Sequence, residues 1–142
     1  MLTILIGLIL FFIFILLSGI HFYWGLGGKW AAKAVIPTKE DKEKGRRPKL
    51  SESFIVALGL FGFGIFILVK TEILSLALPA VLLDYGIWVL SLLFLLRAIG
   101  DFKYVGFFKK IKTTEFGRLD TIYYSPLCLA IAFMAIMLAF IK

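Results

Sequence analysis

The chain has one cysteine, Cys128, and one histidine, His21, in 142 residues. A lone thiol makes no intrachain disulfide, and one thiol with one imidazole falls short of the four ligands of a structural zinc, so no metal site is expected. Charge is missing from long stretches: residues 2–24, 54–69 and 121–141 contain no Asp, Glu, Lys or Arg, and 73–96 contains only Asp84. Phosphate-loop spacing is absent, and no nucleophile elbow surrounds Ser125. No basic segment precedes the first apolar run, which is therefore read as a retained span rather than a cleaved signal peptide.

What is present is apolar length. About 20 apolar residues cross a bilayer's hydrocarbon core as a helix. Four segments satisfy this, at about 2–24, 51–70, 80–104 and 119–141, and with 61% hydrophobic residues the chain is too apolar to hide them all in one soluble core. The expected fold is an all-α, four-transmembrane-helix bundle forming a single membrane domain.

The cations are unevenly placed. Lys29, Lys33, Lys39, Lys42, Lys44, Arg46, Arg47 and Lys49 fall between spans one and two; Arg97, Lys103, Lys109, Lys110, Lys112 and Arg118 fall around the connection of spans three and four. Only Lys70 and Lys142 lie at the other end. The positive-inside rule makes both basic loops, about 25–50 and 105–118, cytoplasmic and puts both termini outside, in a multi-pass protein of the cell (inner or plasma) membrane. Insertion and attraction to anionic membrane lipids account for the net charge of +7, so no nucleic-acid partner is expected.

Span four carries small residues at steps of four and three: Thr121, Ser125, Cys128, Ala132, Ala135 and Ala139. Such a seam permits close helix contact in lipid. Span two has Ala57, Gly59, Gly62 and Gly64, which fit no single face. Pro126 reads as a helix-start feature. Pro79 favours a third span beginning near residue 80, which places Asp84 at the outer interface and Arg97, Asp101 and Tyr104 along one inner face.

The inner ends of spans one, three and four then share a membrane level, where the polar groups concentrate. Tyr23, Trp24, Arg97, Asp101, Arg118, Asp120, Tyr124 and Ser125 are the candidate ligand-binding residues. His21, Asp101 and Asp120 are the candidates for acid–base work, His21 because its proton moves near neutral pH. The bland readings are an Arg97–Asp101 neutralising pair and an aromatic interface belt of Phe22, Tyr23, Trp24 and Trp30. Haem at His21 would need a second axial ligand from another residue or another protomer.

Three stretches carry a family resemblance that covers almost the whole chain: His21-Phe22-Tyr23-Trp24; Arg97-Ala98-Ile99-Gly100-Asp101-Phe102-Lys103-Tyr104-Val105-Gly106-Phe107-Phe108-Lys109; and Leu119-Asp120-Thr121 leading to Tyr124-Ser125-Pro126-Leu127-Cys128. The chain resembles a family of small bacterial four-span membrane proteins described only as a domain of unknown function. The resemblance implies the four-span fold and supplies no activity. The residues themselves point first to a pocket for an amphiphilic small molecule such as a lipid, isoprenoid or quinone. The alternatives are a membrane enzyme acting on such a molecule and a small homo-oligomeric transporter.

Overall fold

The structure is a computed structural model and describes residues 1–31, 49–100 and 105–141. It contains α1 (Leu2–Gly25), α2 (Leu50–Lys70), α3 (Ala80–Ile99), a short α4 (Glu115–Leu119), a π-helical turn (Asp120–Tyr124) and α5 (Ser125–Phe140). The last three run on as one helical segment, giving four helices long and apolar enough to cross a membrane. No strand occurs among the described residues. The protein is thus an all-helical, multi-pass membrane protein.

The helices associate as two pairs, α1 with α2 and α3 with α5. Between α1 and α2 the contact is close because small groups meet: Ser18 donates a hydrogen bond to the Ala57 carbonyl at 2.7 Å, and Gly64 lies against Phe11, Phe14 and Ile15. This settles the face of α2, since Ala57 and Gly64 look inward while Gly59 and Gly62 face open space. On α5 the buried positions include Ser125, Cys128, Ala132 and Ala135 of the expected seam, whereas Phe133 and Phe140 are exposed. The two pairs meet through Phe14, whose ring centroid is 5.8 Å from that of Phe63 and 5.5 Å from that of Phe94. Outward-facing Phe12, Leu16, Val89 and Phe133 give the bundle the apolar surface that lipid requires.

Turn chemistry fixes the ends. After α1 the Gly27 and Gly28 amides bond back to Trp24 and Tyr23 carbonyls in a Schellman motif, with Gly27 at φ +92°. Trp30 then folds back, its carbonyl accepting from Trp24 Nε1 at 2.8 Å. Asp84 lies near the start of α3, exposed and 3.4 Å from Lys70.

Two boundaries differ from expectation. α3 stops at Ile99, short of Tyr104, because Gly100 adopts φ +92° and turns the chain. The fourth span begins at Glu115 rather than residue 119, because Thr114 Oγ1 accepts the Gly117 amide at 3.0 Å and caps the helix.

Candidate functional site

Asp120 is the centre of the polar region. Its side chain is fully shielded from solvent inside a predominantly apolar bundle, so it demands compensation. Oδ1 accepts from Arg97 Nη2 at 2.9 Å. Oδ2 accepts from the Gly106 amide at 2.7 Å and from Lys109 Nζ and Ser125 Oγ at 3.1 Å each. The carboxylate therefore engages α3, the loop after it and α5 at once.

Each partner is delivered by a specific piece of local structure. Arg97 lies in the last turn of α3. Beyond it the chain crosses itself: Phe107 donates its amide to the Ala98 carbonyl at 2.9 Å, with Gly100 and Gly106 stacked at the crossing. A Cβ on Gly100 would lie 1.7 Å from the Val105 carbonyl oxygen, and one on Gly106 would lie 2.3 Å from that of Ile99. Only glycines permit this approach, which aims the Gly106 amide at Asp120 and carries Lys109 inward.

Ser125 reaches Asp120 through the π turn. Its amide bonds to the Asp120 carbonyl five residues back, whereas an α-helix would bond four back. That wider turn aligns residues five apart, and it sits where Pro126 has no amide to offer an α-helical ladder. Lys109 is also completely buried; its ammonium donates to the Gly106 carbonyl at 2.9 Å, to Asp120 and to Thr121 Oγ1. Thr121 in turn donates to the Gly117 carbonyl at 3.1 Å. All three ammonium hydrogens thus have acceptors.

Arg97 is satisfied differently. Its side chain is 32% exposed, while Nη1 is buried and has no hydrogen-bond partner among the described residues. The same side chain lines a cavity of about 340 Å³ between the two helix pairs. Leu17, Ile20, Leu60, Phe94, Phe116 and Leu127 form much of its apolar wall; His21, Trp24, Trp30, Tyr124 and Cys128 complete its polarisable side. Val56 and Trp30, 44% and 69% exposed, also line it, so the cavity reaches the surface of the bundle. A larger cavity of about 650 Å³ lies at the opposite end, where the cation Lys70 is already paired with Asp84. The smaller one holds the chemically unusual group.

The sequence candidates separate into groups. Arg97, Asp120 and Ser125 form the cluster; His21, Trp24 and Tyr124 line the cavity with Arg97. Tyr23 stands behind the wall, its hydroxyl accepting the Trp30 amide at 3.3 Å. Arg118 is exposed and lies outside both the cluster and the cavity lining. Asp101 lies outside the described residues. His21 Nδ1 is 2.8 Å from the Leu17 carbonyl, which can only accept, so this nitrogen carries the proton and Nε2 is the other, accepting position when the ring is neutral. No group of three or more His, Cys, Asp and Glu side chains fit to hold a metal occurs among the described residues.

Lys109 escaped sequence reading because it resembles its neighbours Lys110 and Lys112, which are ordinary juxtamembrane cations. The signal that marks it is Gly106 three residues earlier, since a tight glycine turn can fold the third residue back inward. In the sequence Trp30 is legible as an interface anchor and Cys128 as a seam residue, and nothing local marks Leu127 as part of a cavity wall.

A family model described as "Protein of unknown function (DUF3995)" matches residues 14–135. The chain belongs to this family. The matched region includes every residue of the Asp120 cluster and every residue that lines the Arg97 cavity. Membership carries no activity with it. No curated protein and no solved structure matches the chain.

Proposed function

We propose that the protein binds an amphiphilic molecule of the lipid, isoprenoid or quinone kind, with its polar end at Arg97 and its chain against the apolar wall between the helix pairs. The observation that carries this reading is Arg97 itself: a guanidinium held by Asp120 on one nitrogen, lacking a partner on another, in the wall of an otherwise apolar cavity. Native proteins pair buried polar groups, so an orphaned donor beside a cavity is explained most directly by a ligand. The volume lies within the range of small-molecule sites. The basic segments at this end favour its placement on the cytoplasmic side of the cell membrane.

Asp120 is not poised as a free base on this reading, because its carboxylate already accepts four hydrogen bonds. Binding asks for no bond of the cluster to break.

The test is native mass spectrometry of protein released from mild detergent, with extraction and identification of any bound molecule. A stoichiometric amphiphile is expected on the unaltered protein and on Phe140→Leu, which changes an exposed side chain. It should be lost from Cys128→Phe and Leu127→Phe, each of which fills the cavity while leaving the Asp120 ion pairs intact. Equal retention in all four proteins would place the molecule elsewhere and overturn the reading.

A further inference from the structure

We infer that the occupant of the Arg97 cavity is a single-chain lipid with an anionic head, a carboxylate or a phosphate monoester, rather than a neutral quinone or a two-chain phospholipid. The inference rests on the amphiphile-binding reading above and narrows it. It follows from charge, from donor count and from volume.

Among the described residues the cluster holds two cations, Arg97 and Lys109, against one carboxylate, Asp120. Lys109 is enclosed, and its three hydrogens meet Gly106, Asp120 and Thr121, so no ligand competes for it. Asp120 gives one oxygen to Arg97 and the other to Gly106, Lys109 and Ser125. Among the described residues of this cluster one positive charge is left over, and Arg97 is the cation that reaches the cavity. A cation facing an apolar space of low dielectric draws an anion strongly, because water screens it poorly there. A neutral carbonyl head would accept a hydrogen bond and leave the charge unmatched. Guanidinium geometry suits planar carboxylate and phosphate oxygens alike, which is why both heads belong to the proposal.

Volume favours one chain over two. About 340 Å³ lies near the lower limit for ligand pockets, and a head with the first part of one chain fills it with less crowding than a glycerol backbone carrying two. Val56, exposed on α2 and part of the lining, marks a side on which the remaining chain would pass into the surrounding lipid. Trp24 and Trp30 both line the cavity, so an occupant lies within reach of both residues.

That placement supplies the readout. In a Trp88→Phe background the two remaining tryptophans, Trp24 and Trp30, both line the cavity. The protein in neutral phosphatidylcholine nanodiscs is titrated with 2-bromohexadecanoate, with 2-bromohexadecyl phosphate and with neutral 2-bromohexadecanol, and bromine quenching is followed. Saturable quenching by at least one anion, at a mole fraction tenfold or more below that needed for the alcohol, is the expected result; the two anionic arms show which head is preferred. In Arg97→Gln the anion-to-alcohol preference should fall to about one. Should that variant fail to fold, the preference measured with Arg97 intact still decides. Equal saturable quenching by alcohol and anions overturns the anionic head and leaves amphiphile binding standing. Absence of saturable quenching by any probe overturns both. Displacement of the bromo-anion by inorganic phosphate or acetate at equal concentration would mark a free anion as the occupant and overturn the lipid chain.

Discussion

Lys109 Nζ stands 3.1 Å from Asp120 Oδ2, and neither side chain is reached by solvent. Both charges are therefore held by each other, by Arg97 and by hydrogen bonds, with no water to take over when one is removed. Breaking a buried pair from one side costs about 3–5 kcal/mol, because the partner is left charged and alone. Asp120→Asn, which strands two cations, should lower the stability of the detergent-solubilised protein by about that amount in reversible unfolding. Lys109→Met combined with Asp120→Asn should recover part of the loss. A double-mutant cycle that gives strict additivity would show that the ion pair contributes no coupling.

The Gly100–Gly106 crossing makes a sharper demand. Gly106 has φ +88°, and a Cβ there would meet the Ile99 carbonyl oxygen and the Gly100 Cα at 2.3 and 2.4 Å. Backbone must move to admit a methyl group, and with it moves the amide that bonds Asp120. Gly106→Ala should destabilise by about 3 kcal/mol or more, combining left-handed strain with the loss of a hydrogen bond to a charged group. Gly62→Ala, at a glycine with open space around it, should be neutral or slightly stabilising in the same assay.

These residues also show how far the chain could be read without coordinates. Span number and approximate length follow from apolar runs, and the α5 seam follows from small residues at helical spacing, because both are local and periodic. Asp120 and Ser125 were marked as polar groups at the right level, yet their pairing depends on a π turn that no i, i+4 rule anticipates. The i, i+4 rule makes Asp101 a possible partner of Arg97, and Asp101 lies outside the described residues; the Asp120 carboxylate that Arg97 reaches lies on another helical segment, 23 residues away in sequence. Lys109 was hidden because a buried lysine and a snorkelling lysine have the same letter, and only the fold back through Gly106 distinguishes them.

Glu72 offers a prediction of opposite sign. The α2 C-terminus closes with Glu72 and Ile73 amides bonded to the Val69 and Leu68 carbonyls, and Glu72 occupies the left-handed position at φ +59°. Glycine is the residue that this place in a Schellman motif favours, since a Cβ there is strained by about 1–2 kcal/mol. Glu72→Gly should raise stability, by about 0.5–1 kcal/mol once the greater freedom of an unfolded glycine is subtracted. A decrease would mean that the Glu72 side chain contributes more than its backbone strain.

Phe14 and Phe12 test what a buried side chain is worth when the surroundings are lipid. Phe14 is completely enclosed between Phe63 and Phe94 at the junction of the helix pairs; Phe12, two residues earlier, is 65% exposed on the outside of α1. In water both would drive burial, but in a bilayer acyl chains solvate an aromatic ring nearly as well as protein does, and only close packing sets Phe14 apart. Removing its ring opens a cavity that the two pairs can close only by moving together, at a cost of about 3–5 kcal/mol for a buried Phe→Ala change. Phe12→Ala should change stability by less than about 1 kcal/mol in lipid nanodiscs, because lipid refills the space. Equal losses at the two positions would mean that the outer face of α1 is covered by protein, and the four-helix bundle would then be part of a larger assembly.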